Sequence, residues 1–122
     1  MDLYTLAENH GIRILWGLTI PGLRGLYDHH TRTIILRDGM SERITRCVLA
    51  HELAHALAGD THHDSNPTLE HARDAQAAAM LISPAEFYRA SALYPDHSSM
   101  IAIELDVTVD LVHAYAEILH QV

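Results

Sequence analysis

Apolar and polar positions divide the chain into two regimes. Between residues 12 and 37 the apolar residues fall in short runs separated by turn formers. Residues 12–16 (IRILW) read as a strand. Pro21 and Gly22 then interrupt the pattern. Residues 23–28 and 32–37 flank the turn-like His29–Thr31 and predict a β-hairpin, closed by Asp38–Gly39. After Ser41 the pattern changes to long helical segments with clear start and stop signals. Ser41 is suited to N-cap a helix over 42–58, which Gly59 ends. A polar stretch follows, and Asn66–Pro67 reads as an N-cap with proline at the first helical position of a helix reaching about Ile82. Ser83-Pro84-Ala85-Glu86 is a capping box that opens a third helix. Two short helices are expected over about 97–105 and 109–120, and another over 2–9 near the start. A small sheet followed by helices is an α+β arrangement. An antiparallel sheet of about three strands is expected, then a helical part.

The 122 residues suit one domain, taken as 1–122, with the helical tail 97–122 only loosely like a helix-turn-helix. The formal charge is −8, from 8 basic and 16 acidic residues, and every basic residue is arginine. The last arginine is Arg89, so the tail would repel phosphate rather than bind it. Direct nucleic-acid binding is not expected, and the tail reads as a packing or partner-docking element. Cys47 is the only cysteine, which excludes an internal disulfide and a multi-cysteine zinc cluster. The chain shows neither a signal peptide nor an apolar run of membrane-spanning length, so a cytoplasmic protein with no membrane role is expected. Its oligomeric state is not legible.

The outlier is histidine, at 11 residues. Two of the 11 lie at a spacing with chemical meaning. In His51-Glu52-Leu53-Ala54-His55 the imidazoles are four apart on the predicted helix, so they share a face and can reach one zinc ion. Glu52 is placed to take a proton from a water activated by that ion. The flanks, Val48-Leu49-Ala50 and Ala56-Leu57, carry no charge, as a helix packed beneath a site requires. Glu70 is the candidate third ligand. Asp74, four residues further and on the same face, is placed to accept the second ring N–H of a ligating histidine. His62 is the alternative third ligand, with His63 and Asp64 behind it. A metzincin spacing would need glycine at 58 and histidine at 61, where this chain has Ala58 and Thr61. His29 and His30 read as turn residues, His71 as surface and Cys47 as core. Tyr27 and Tyr88 are candidates to stabilise an oxyanion, though packing explains each as well.

The runs VLAHELAHALAGD and LEHARDAQAAAMLISPAEF, with the preceding hairpin GLYDHHTRTIIL, resemble the ImmA/IrrE-like family of bacterial and phage zinc metallopeptidases. The resemblance covers roughly residues 24–86 and rests on the HExxH motif with Glu70, Asp74, Ala78, Ala79, Leu81, Ile82 and Pro84. One departure is Arg73, where the family often has alanine. The resemblance implies a zincin-like fold and a zinc-dependent endopeptidase, compact and phage-like, acting in the host cytoplasm if phage-encoded. Its implied substrate is a protein or peptide, such as a transcriptional repressor of a phage or mobile element. The competing reading is a non-catalytic, zinc-containing docking or regulatory module. A fourth protein ligand, for example His62, would favour that second reading, and an open fourth position the first.

Overall fold

The computed structural model describes residues 2–61 and 66–120. Its elements follow in the order α1 (Leu3–Asn9), β1 (Arg13–Trp16), β2 (Gly25–Asp28), β3 (Thr33–Leu36), α2 (Glu42–Ala58), α3 (Pro67–Leu81), α4 (Pro84–Leu93), α5 (Ser98–Leu105) and α6 (Val109–His120). The fold is α+β, as the patterning predicts. Local capping explains the agreement at the helix starts. The side chains of Ser41, Asn66 and Ser83 accept hydrogen bonds from the backbone N–H groups of Ile44, Leu69 and Glu86. Each satisfies a donor that the first helical turn leaves unpaired.

The sheet departs from expectation in one respect. Its strand order is β1-β3-β2, with β2 antiparallel to β3 but β1 parallel to β3. The cause is the segment 17–24. Gly17 and Leu18 both donate backbone hydrogen bonds to the Leu36 carbonyl at the end of β3. Arg37 then holds the segment by donating to the carbonyls of Leu23 and Ile20. The chain is thus carried around the end of β3 to its far side. When the hairpin turns back, β3 slots between β1 and β2. Asp28 organises that turn, accepting from the His30 N–H and the Thr31 hydroxyl.

α2 runs through the centre of the core. Its Leu49 and Leu53 are fully buried with Ile34 and Leu36 of β3 and with Val107, between α5 and α6. One face of α2 packs on β2 and β3 and another on α3. Ala77 and Ala78 of α3 have no exposed surface, and such small side chains let the two helices approach closely. α6 packs against α3 and α5, and α4 against α5. The bend between α5 and α6 is tied to α2 by Arg46, which donates to the Asp106 carbonyl. No helix among the described residues is long and apolar enough to cross a membrane. α2 therefore lies between the sheet and α3, with the open edge of β2 beside it.

Candidate metal centre

The spacing of four places His51 and His55 one turn apart on α2, and α3 brings Glu70 over both. The Nε2 atoms of the two histidines are 3.2 Å apart. Glu70 Oε2 lies 2.6 Å from His51 Nε2 and 2.8 Å from His55 Nε2. Among the described residues this is the His/Cys/Asp/Glu group whose ligand atoms are close enough to share a metal ion. His62, His63 and Asp64 lie outside the described residues.

The opposite ring nitrogens are also held. His51 Nδ1 is 2.8 Å from Asp74 Oδ1, the pairing that the shared face of Glu70 and Asp74 predicts. His55 Nδ1 is 2.8 Å from Asp60 Oδ2, a partner that the sequence reading missed. A carboxylate accepts but does not donate, so each Nδ1 carries the proton. With one proton per ring, both Nε2 lone pairs then face each other and the Glu70 carboxylate. Three electron-rich atoms directed at one point suit a cation. The 3.2 Å between the nitrogens is close to the roughly 3.3 Å edge expected of a tetrahedron with ~2.0–2.1 Å bonds. The donor set of two imidazoles and one carboxylate fits a divalent metal ion.

A proton competes for the same place. Burial alone would lower the pKa of His51. The hydrogen bond to Asp74 and the charges of Glu52 and Asp74 outweigh it and lift the value to about 9. At neutral pH the metal-free His51 is therefore an imidazolium, and its second N–H donates to Glu70.

A signal for Asp60 was present. Gly59 ends α2 in the left-handed conformation (φ 73°), and its N–H bonds to Ala56 O while the Asp60 N–H bonds to His55 O. This is a Schellman motif, in which the second residue past the helix returns beside the residue five positions earlier. A glycine stop therefore puts the side chain at 60 next to the one at 55. Arg73, the family departure, completes this corner. Its Nε and Nη2 donate to Asp60 Oδ2 and Oδ1 at 2.5 and 3.0 Å. That hydrogen bond from Arg73 is the main reason the Asp60 carboxyl lies below its ordinary pKa.

Glu52 sits one step round α2, 9% exposed, beneath β2. Burial pushes its pKa up, partly opposed by the neighbouring histidines. The cleft above it has two lobes, of about 200 and 230 Å³, both lined by Leu23, Gly25 and Glu52. His51 and Asp74 face one lobe, and His55, Asp60 and Glu70 the other. Gly25 makes this proximity possible. A Cβ there would lie 2.6 Å from Val48 Cγ1 and 3.1 Å from Glu52 Cγ.

Of the remaining candidates, Tyr27 and Cys47 border the cleft, and Tyr88 and His71 do not. Tyr27 is buried, lines the second lobe, and has its hydroxyl 2.8 Å from His29 Nδ1. Tyr88 is 61% exposed and lines neither lobe. Cys47 is core, as expected, and His71 is an exposed residue paired with Glu117.

No curated protein matches the chain. Residues 7–114 match the profile of the IrrE N-terminal-like domain. That span runs from α1 to α6 and takes in both the histidine helix and the glutamate helix, so the chain belongs to the M78 family of metallopeptidases, as the resemblance over residues 24–86 implied.

Proposed function

We propose that the protein is a zinc-dependent endopeptidase. In this reading His51, His55 and Glu70 hold the metal, Asp74 orients His51, and Glu52 is the general base. The observation that carries it is the convergence of His51 Nε2, His55 Nε2 and Glu70 Oε2 with both Nδ1 atoms already given to carboxylates. Zinc bound there would supply Lewis acidity towards water and towards a peptide carbonyl oxygen.

The chain's own residues account for the rest. Glu52 has a carboxylate raised by burial, which brings its proton affinity nearer to working pH. It accepts a proton from the attacking water and returns it to the departing amine nitrogen. β2 is an edge strand, and residues 25–27 border the cleft beside Glu52 and His55. An extended peptide can add to that edge through main-chain hydrogen bonds, which places its backbone across the cleft. This favours a protein substrate with an accessible extended segment. A repressor-type regulator of a phage or mobile element is the candidate that the resemblance supplies.

The test is co-expression with a repressor-like protein encoded beside this one, followed by mass spectrometry of the fragments. We expect discrete cleavage by the wild type, and a fall of ~10²–10⁴-fold in rate for Glu52→Gln with about one zinc per chain retained. Undiminished cleavage by Glu52→Gln would refute the general-base role.

A further inference from the structure

We infer that Asp60, gripped by Arg73, is the positioning residue for His55, and that Arg73 sets the metal affinity of the site through Asp60. The inference rests on the metal reading above and assigns a role to two residues outside it.

The arrangement has three parts. Asp60 Oδ2 accepts from His55 Nδ1 at 2.8 Å and from Arg73 Nε at 2.5 Å, while Asp60 Oδ1 accepts from Arg73 Nη2 at 3.0 Å. The carboxylate is thus held at both oxygens by one guanidinium, and its Oδ2 is shared between Arg73 Nε and the imidazole. Such a fork fixes the plane of the carboxylate as well as its position. The Asp60 and Arg73 side chains are 11% and 13% exposed, so water competes little for the pair. Finally, Asp60 follows the end of α2, while Arg73 lies one turn after Glu70 on α3. The same contact therefore fixes the ring of His55 and ties together the two helices whose side chains converge.

The two histidines are held unequally. The partner of His51, Asp74, has a side chain 32% exposed, against 11% for Asp60. A carboxylate open to water can be replaced by water as an acceptor for a ring N–H, whereas one enclosed with an arginine cannot. Loss of Asp60 should accordingly cost the site more than loss of Asp74. Arg73 hydrogen-bonds Asp60, and its charge also acts on Glu70, so combining the substitutions is what separates a path through Asp60 from a direct effect on the ligand.

The test measures zinc affinity of the full chain by competition with a chromophoric chelator. Alongside it, the protonated ring nitrogen of each histidine in the zinc-loaded protein is read by two-bond ¹H–¹⁵N NMR correlation. We expect Asp60→Ala to weaken zinc binding ~10–100-fold. It should also abolish the protected Nδ1–H signal of His55 while leaving that of His51. Asp60→Asn, whose amide oxygen still accepts from Nδ1–H, should restore the His55 signal and part of the affinity. Arg73→Ala should weaken binding less than Asp60→Ala, and adding it to Asp60→Ala should change nothing further. If Asp60→Ala does not fold, Asp60→Asn and Arg73→Gln carry the same comparison. Wild-type zinc affinity in the Asp60 variants would overturn this inference alone. A wild-type chain that takes up no zinc would overturn the metal reading with it. Additive effects of the two alanine substitutions on affinity would show that Arg73 acts independently, and would overturn its part.

Discussion

Gly25→Ala is the most informative single substitution, because it adds one methyl group at the contact between β2 and α2. The backbone at Gly25 is an ordinary strand, so the cost of a side chain there is one of space. The added Cβ would fall 2.6 Å from Val48 Cγ1, where carbon atoms pack at roughly 3.5–4.0 Å. About 1 Å of clearance must be found. Val48 cannot easily supply it, since a β-branched residue within a helix has essentially one comfortable rotamer. Either Val48 is forced off that rotamer or β2 lifts away from α2. Overpacking of this kind costs ~1–3 kcal/mol. The same Cβ meets Glu52 Cγ at 3.1 Å, so the carboxylate must shift by a few tenths of an ångström. Urea denaturation of Gly25→Ala should show the loss as a lower midpoint with an unchanged slope. Cleavage activity should fall as well, because a displaced base loses its alignment with the reacting water. Repeating the substitution in a Val48→Ala background removes the Cγ1 contact. There Gly25→Ala should cost less than about 1 kcal/mol. An equal cost in both backgrounds, or none in either, would refute the steric account.

Three further predictions concern the metal site. In metal-free protein the pKa of His51 is about 9 against an ordinary 6.5, so its contribution to stability is present in full below pH 6.5 and is lost as pH rises through 9. The shift corresponds to roughly 3 kcal/mol; chelator-treated protein that denatures identically at pH 6.5 and 9.5 would contradict it. The same proton must leave when zinc binds, so calorimetric titration at pH 7.5 should give a binding heat that varies with the ionisation enthalpy of the buffer, as proton release requires. Glu70→Ala should lose most bound zinc while His62→Ala keeps it, as read by metal analysis after dialysis; the reverse result would move the third ligand to His62.

Much of the architecture follows from short-range chemistry. The ends of α2 follow from Ser41 and Gly59, the start of α3 from Asn66 and Pro67, and that of α4 from the Ser83 box. Each cap is a contact within a few residues, so the sequence pattern contains both partners. The pairings of His51 with His55 and of Glu70 with Asp74 are legible for the same reason, since helical geometry makes residues four apart neighbours. Asp60 beside His55 is an intermediate case. The glycine stop implies the contact, but only when the motif's return of the chain is followed one residue beyond the helix.

The parallel pairing of β1 depends on Arg37 and the Leu36 carbonyl catching a segment 14 to 19 positions earlier, and alternation along a strand carries no record of that. The grip of Arg73 on Asp60 joins residues 13 apart, one just past the end of α2 and the other within α3. Read along the chain, Arg73 is only a charge where a small residue is usual. Gly25 likewise resembles any turn-forming glycine until α2 is laid against it. By itself, the sequence determines which helices form and which side chains share a helical face, because those relations are set by hydrogen bonds and rises within a turn or two. The tertiary structure alone decides which faces meet. Strand order, the approach of β2 to Glu52 and the Arg73–Asp60 contact arise from packing between segments whose separation along the chain bears no relation to their distance in space.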